Sequence, residues 1–73
     1  MTRPPAHLVV AGVLEAMIGQ AEVAIARNRQ RLARAEIRPP LAKQLRVSTR
    51  IMELRLAELR LELESHQEEL QQA

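Results

Sequence analysis

The sequence predicts an all-α protein: two long antiparallel helices forming a hairpin that self-associates into a four-helix bundle. Three observations predict it. Ala, Leu, Glu, Arg and Gln dominate the 73 residues, and these are strong helix formers. The four prolines fall in two pairs, Pro4-Pro5 and Pro39-Pro40, and nowhere else. Apolar residues recur at helical spacing on more than one face of each half of the chain.

Helix 1 is expected from about Pro5 to Glu36. Proline suits a first helical turn, where its missing N–H is not needed, and breaks a helix interior. The second pair therefore ends helix 1 and opens helix 2, expected from about Pro40 to Gln71. The turn at 37–39 is short, which favours antiparallel neighbours. One helical-hairpin domain spanning 1–73 is the expected organisation.

Each helix has a main apolar stripe. In helix 1 it runs through Val10, Val13, Leu14, Met17, Ile18, Ala21, Ala24, Ile25, Leu32 and Ala35, interrupted by Asn28 and Arg31. That Asn either fixes register, as a lone buried Asn does in zippers, or ends the core before the charged tip. In helix 2 the stripe is Leu41, Leu45, Met52, Leu56, Leu59, Leu63 and Leu70, with Ser48 and His66 at its edge. These stripes are expected to zip together.

A second apolar strip lies on each helix. Helix 1 carries Val9, Ala16 and Val23 at seven-residue spacing, beside Gly12, Gly19 and Ala26 at the same spacing. Helix 2 carries Val47, Ile51, Leu54 and Leu61. A lone hairpin cannot cover two faces of each helix, and a helix apolar on both sides has neighbours on both. Val9, Gly12, Ala16, Gly19, Val23, Val47, Ile51, Leu54 and Leu61 are therefore the expected oligomer interface, with a dimer the simplest solution.

Charge is concentrated at the hairpin corner. Residues 27–50 hold eight basic side chains and one acid, Glu36, a net charge of +7, while the rest of the chain carries −5. Antiparallel folding brings Arg27 near Arg50 and Arg34 near Lys43. Like-charged pairs four residues apart, such as Arg27 and Arg31, are unfavourable by a few tenths of a kcal/mol. Two compensations fit. Arg27, Arg31, Arg34, Arg38, Lys43, Arg46 and Arg50 grip a nucleic acid or an acidic partner. Alternatively, the basic tip of one hairpin lies along the acidic end of another and orients assembly. The second is preferred, because the apolar faces already require self-association. No aromatic platform, nucleic-acid motif or Gly-rich phosphate loop accompanies the arginines.

Site chemistry is sparse. There is no cysteine, hence no disulfide and no thiol nucleophile. The expectation is a non-enzymatic protein with no cofactor. His66 with Glu62 and Glu69, and Glu15 at the same height, places carboxylates around one imidazole, but the Glu-x-x-His spacing of di-iron bundles is missing. No metal site is expected, and His7 is expected at the surface without a partner. Across the hairpin, Glu22 is expected to pair with Arg55.

Residues 8–26 approach the length of a membrane span, yet Glu15, Gln20 and Glu22 interrupt them. No membrane insertion and a cytoplasmic location are expected. The function expected is a protein–protein interaction module: a small oligomeric adaptor, chaperone or regulatory subunit. The alternatives are a nucleic-acid-binding regulator acting through the basic tip, and a subunit lending helices to a larger complex.

Overall fold

The computed structural model describes residues 6–34 and 36–72. Among them the chain forms two helices, α1 (Ala6–Leu32) and α2 (Pro39–Gln72), packed side by side in a rod of 56 × 21 × 13 Å. The 34 residues of α2 account for the length, since a helix rises about 1.5 Å per residue. The expected start of helix 1 at Pro5 and the stripe position Ala35 lie outside the described residues.

α2 begins at Pro39, one residue earlier than expected. Its first intrahelical bond runs from the Ala42 N–H to the Arg38 carbonyl at 2.9 Å. Pro39 and Pro40 thus take the first two helical positions. An N-terminus normally leaves its first N–H groups without intrahelical partners, and here two of them do not exist.

α1 ends at Leu32, short of the expected Glu36. Past it the bonds tighten: Arg34 N–H donates to the Arg31 carbonyl at 3.2 Å and Ile37 N–H to the Arg34 carbonyl at 3.4 Å. The chain must cross about 8–10 Å between helix axes. Arg38 precedes a proline and is steered out of helical geometry. The connection therefore begins before the expected 37–39 and ends at Arg38.

The core is one straight seam. On α1 it passes through Ala11, Leu14, Ile18, Ala21, Ile25, Asn28 and Leu32, alternating steps of three and four. On α2 the same rhythm holds for Ala42, Leu45, Thr49, Met52, Leu56, Leu59, Leu63, His66 and Leu70. Every one of these is buried or half-buried; off the seam, among the described residues, only Ala24, Ile37 and Glu53 are not exposed. This is the seven-residue repeat of a coiled coil. Leu14, Ile18, Ile25, Leu56 and Leu59 form its centre, with Ala21, Met52 and Leu63 packed against them. Each large side chain buried there contributes about 1.5–3 kcal/mol relative to exposure.

Part of the expected stripe is corrected. Val10, Val13, Met17 and Leu41 are exposed, and Ser48 is exposed, while the smaller Ala11 and Ala42, and Thr49, are buried. The strict repeat decides which side faces the partner helix, and it passes one residue to the side of those larger apolar groups. Thr49 enters the seam because its hydroxyl donates to the Leu45 carbonyl at 2.6 Å.

Candidate interaction surfaces

The seam fixes what is left outside. All nine residues expected at the oligomer interface lie on the outer sides of the hairpin and are exposed. On α1, Val9, Gly12, Ala16, Gly19, Val23 and Ala26 repeat the alternating steps of three and four, so α1 carries a second seam facing away from α2. A shallow open groove there is lined by Ala16, Gly19 and Val23. On α2, Val47, Leu54 and Leu61 stand seven residues apart with Ile51 beside them; Leu61 is 67% and Ile51 61% exposed.

The two glycines are unexplained by the hairpin itself. Neither has positive φ, and a Cβ added at Gly12 or Gly19 would meet no heavy atom within 4 Å. Glycine inside a helix is disfavoured against alanine by about 1 kcal/mol. Nothing within the described chain offsets that cost at either position.

At the corner, the arginines divide into two groups. Glu53 gathers Arg29, whose Nη2 lies 3.1 Å from Oε1, and Arg50, whose Nη1 lies 3.8 Å from Oε2. Among the described residues no ion pair involves Arg27, Arg31, Arg34, Arg38, Lys43 or Arg46, and all six are exposed. A small cleft beneath the turn is lined by Arg31, Arg34, Glu36, Ile37 and Leu41.

Glu22 pairs with Arg60 at 3.4 Å, not with Arg55. Both follow directly on a seam residue, Ala21 and Leu59, so both stand on one flank of the seam. Arg29 and Glu53 follow Asn28 and Met52 and occupy the same flank. Arg55 precedes Leu56, on the other flank, and bonds Glu58 of its own helix at 3.1 Å. The two cross-helix pairs are seven residues apart on each helix with their charges interchanged. All these groups are substantially exposed, so each pair contributes about 1 kcal/mol at most.

The free ends of the helices meet at the two histidines. His7 Nδ1 lies 2.7 Å from His66 Nδ1, with ring centroids 5.0 Å apart. His7 was expected without a partner; it stands four residues before Ala11, on the seam line, and this brings it to His66. The set of His66 with Glu62, Glu69 and Glu15 is not assembled, and among the described residues no three His, Asp or Glu side chains converge as metal ligands.

Glu53, Thr49 and the His7–His66 contact were missed by the sequence reading. The seven-residue repeat puts Thr49 and both histidines on the seam line and Glu53 on its flank; it does not set the heights at which the two histidines stand.

α1 has the length and apolar composition of a membrane-crossing helix, properties shared by core helices and signal sequences. Compared with protein-family models, curated proteins and solved structures, the chain matches none.

Proposed function

We propose that this protein is a non-enzymatic interaction module that works as a cytoplasmic homo-oligomer, a dimer in its simplest form. The observation that carries the proposal is the second seam of α1, with two exposed glycines that the hairpin does not use. Small residues at regular spacing let another helix approach closely, and the occupant proposed is α1 of a second copy. The contact is isologous, so it closes at two subunits.

At about 100° per residue, the two seams lie on nearly opposite sides of α1. The four helices of the dimer therefore stack in a row, α2, α1, α1 and α2, rather than closing a square. Charge orients the pair. Parallel hairpins would place two basic tips together. Antiparallel hairpins keep the basic tips apart and set each at the same end of the dimer as the other's acidic cluster, where Glu58, Glu62, Glu64, Glu68 and Glu69 are found. The outer faces of α2 then remain available, and Val47, Ile51, Leu54 and Leu61 are proposed to receive an apolar helix of a partner protein. That is the work of an adaptor, chaperone or regulatory subunit.

A water-soluble assembly is preferred to a membrane span. Glu15 and Glu22 fall inside the apolar stretch of α1, and a charged residue at a bilayer centre costs about 2.5–3.5 kcal/mol. Glu22 is also committed to Arg60 of α2.

Light scattering coupled to size exclusion tests the proposal. Replacing Gly19 by Leu should release monomers, whereas Leu54→Glu with Leu61→Glu should leave the dimer intact. A Gly19→Leu chain of unchanged mass would refute the α1 contact.

A second reading, a nucleic-acid binder acting through the hairpin tip, is favoured by six exposed basic side chains that form no ion pair among the described residues. It requires affinity that falls steeply with salt. Arg34→Glu with Arg46→Glu should then abolish binding with the oligomer unchanged. If those charges orient assembly, the same changes should weaken or reorganise the oligomer.

A further inference from the structure

The chain contains two histidines, 59 positions apart, and the fold brings their Nδ1 atoms to 2.7 Å. That contact needs one proton between two nitrogens: one ring donates its Nδ1–H and the other accepts through its lone pair. Both rings stand on the seam line, one on each helix, at the open end of the hairpin. There the termini of α1 and α2 are held by no turn. Five glutamates between positions 58 and 69 surround this end with negative charge.

From this geometry we propose that His7 and His66 form a two-histidine clamp for a divalent transition-metal ion, bound through both Nδ1 atoms. With metal–nitrogen bonds of about 2.0–2.1 Å the ion sits about 1.5 Å off the line joining the two nitrogens, so the exposed His7 ring turns toward it, and each ring then carries its proton on Nε2. Metal–nitrogen bonds of about 2.0–2.1 Å hold two nitrogens about 2.9 Å apart at a right angle and about 3.3 Å apart at a tetrahedral angle. Imidazole nitrogen is a good ligand for Cu2+ and Ni2+, whose tetragonal geometry sets adjacent ligands at a right angle. His7 is exposed and His66 half-buried, so a widening of about 0.2 Å meets little resistance. Water fills the remaining coordination positions. The clamp ties the ends of two helices together, so the ion binds the folded hairpin more tightly than the unfolded chain, and the difference appears as stability. The inference rests on the hairpin alone and not on the proposed dimer.

The test uses the full chain, stripped of metal, followed by circular dichroism on heating with and without Cu2+ or Ni2+, and with Mg2+ as control. Cu2+ or Ni2+ at saturating concentration should raise the midpoint by about 5 °C or more, and EDTA should reverse the rise. Mg2+ should do nothing, since it prefers oxygen ligands. The rise should vanish in both His7→Gln and His66→Gln. Cu2+ should also develop a visible absorption band with the unaltered chain that neither variant supports. If His66→Gln disturbs the seam, the exposed His7→Gln carries the comparison. No rise with the unaltered chain, or a rise retained by His7→Gln, would overturn the clamp.

Discussion

Arg29 on α1 donates to Glu53 on α2 across 3.1 Å, and between Glu53 with its two arginines and the turn no further ion pair occurs among the described residues. Glu53 is one of the few side chains off the seam that is not fully exposed, and it also faces Arg50. Replacing it with Ala should lower stability by about 1 kcal/mol or less, because both arginines are well solvated. Glu53→Arg should cost more, since it sets a third positive charge beside them. Adding Arg29→Glu to Glu53→Arg should recover part of that loss. Thermal melts at low salt of the unaltered chain, Arg29→Glu, Glu53→Arg and the double variant measure the coupling; a zero coupling would show that the pair does not guide helix packing.

Leu59 and Leu61 stand two positions apart and separate the inside from the outside of α2. Leu59 is 2% exposed in the centre of the seam, and Leu61 is 67% exposed on the outer face. Leu59→Ala should destabilise the hairpin by about 2–5 kcal/mol through lost burial and an unfilled cavity. Leu61→Ala should change it by about 0.5 kcal/mol or less. Denaturant unfolding of the two variants decides this, and equal losses would contradict the seam.

The glycines of α1 offer a test of sign. In an isolated hairpin, Gly12→Ala and Gly19→Ala should each stabilise by about 1 kcal/mol, because the new methyl meets nothing and alanine favours the helix. In a dimer closed through that face, the added methyls hold the two α1 helices apart. The proposed dimer therefore predicts weaker association for the double variant, read as a higher dissociation constant in sedimentation equilibrium, together with greater helicity in the dissociated chain.

Asn28 is half-buried on the seam. Asn28→Leu should raise the melting midpoint, since a polar seam residue lowers coiled-coil stability while fixing register. Size exclusion should then show additional oligomeric species. A single unchanged species of higher stability would mean that Asn28 does not set register.

The hairpin was legible because its signals are local. Proline pairs, rich helix formers and a short link each act within a few residues. The seam was harder to phase. Val10, Met17 and Leu41 outweigh Ala11 and Ala42 when residues are ranked by hydrophobicity, and α1 is apolar on several sides, so periodicity alone leaves its orientation open. What resolves it is the uninterrupted alternation of three and four, which admits Ala, Thr, Asn and His where it must. The same alternation assigns Glu22 to Arg60 instead of Arg55. The close approach of His7 to His66 depends on where α1 begins relative to the end of α2. No local signal encodes that distance.

The central claim is that the outer face of α1 is covered by a second copy of the chain. Light scattering coupled to size exclusion, run at low and high salt across a hundred-fold range of protein concentration, tests it most directly. The account predicts the mass of a dimer that weakens as salt screens the opposed basic and acidic ends. The mass of a single chain at every concentration and salt would contradict it.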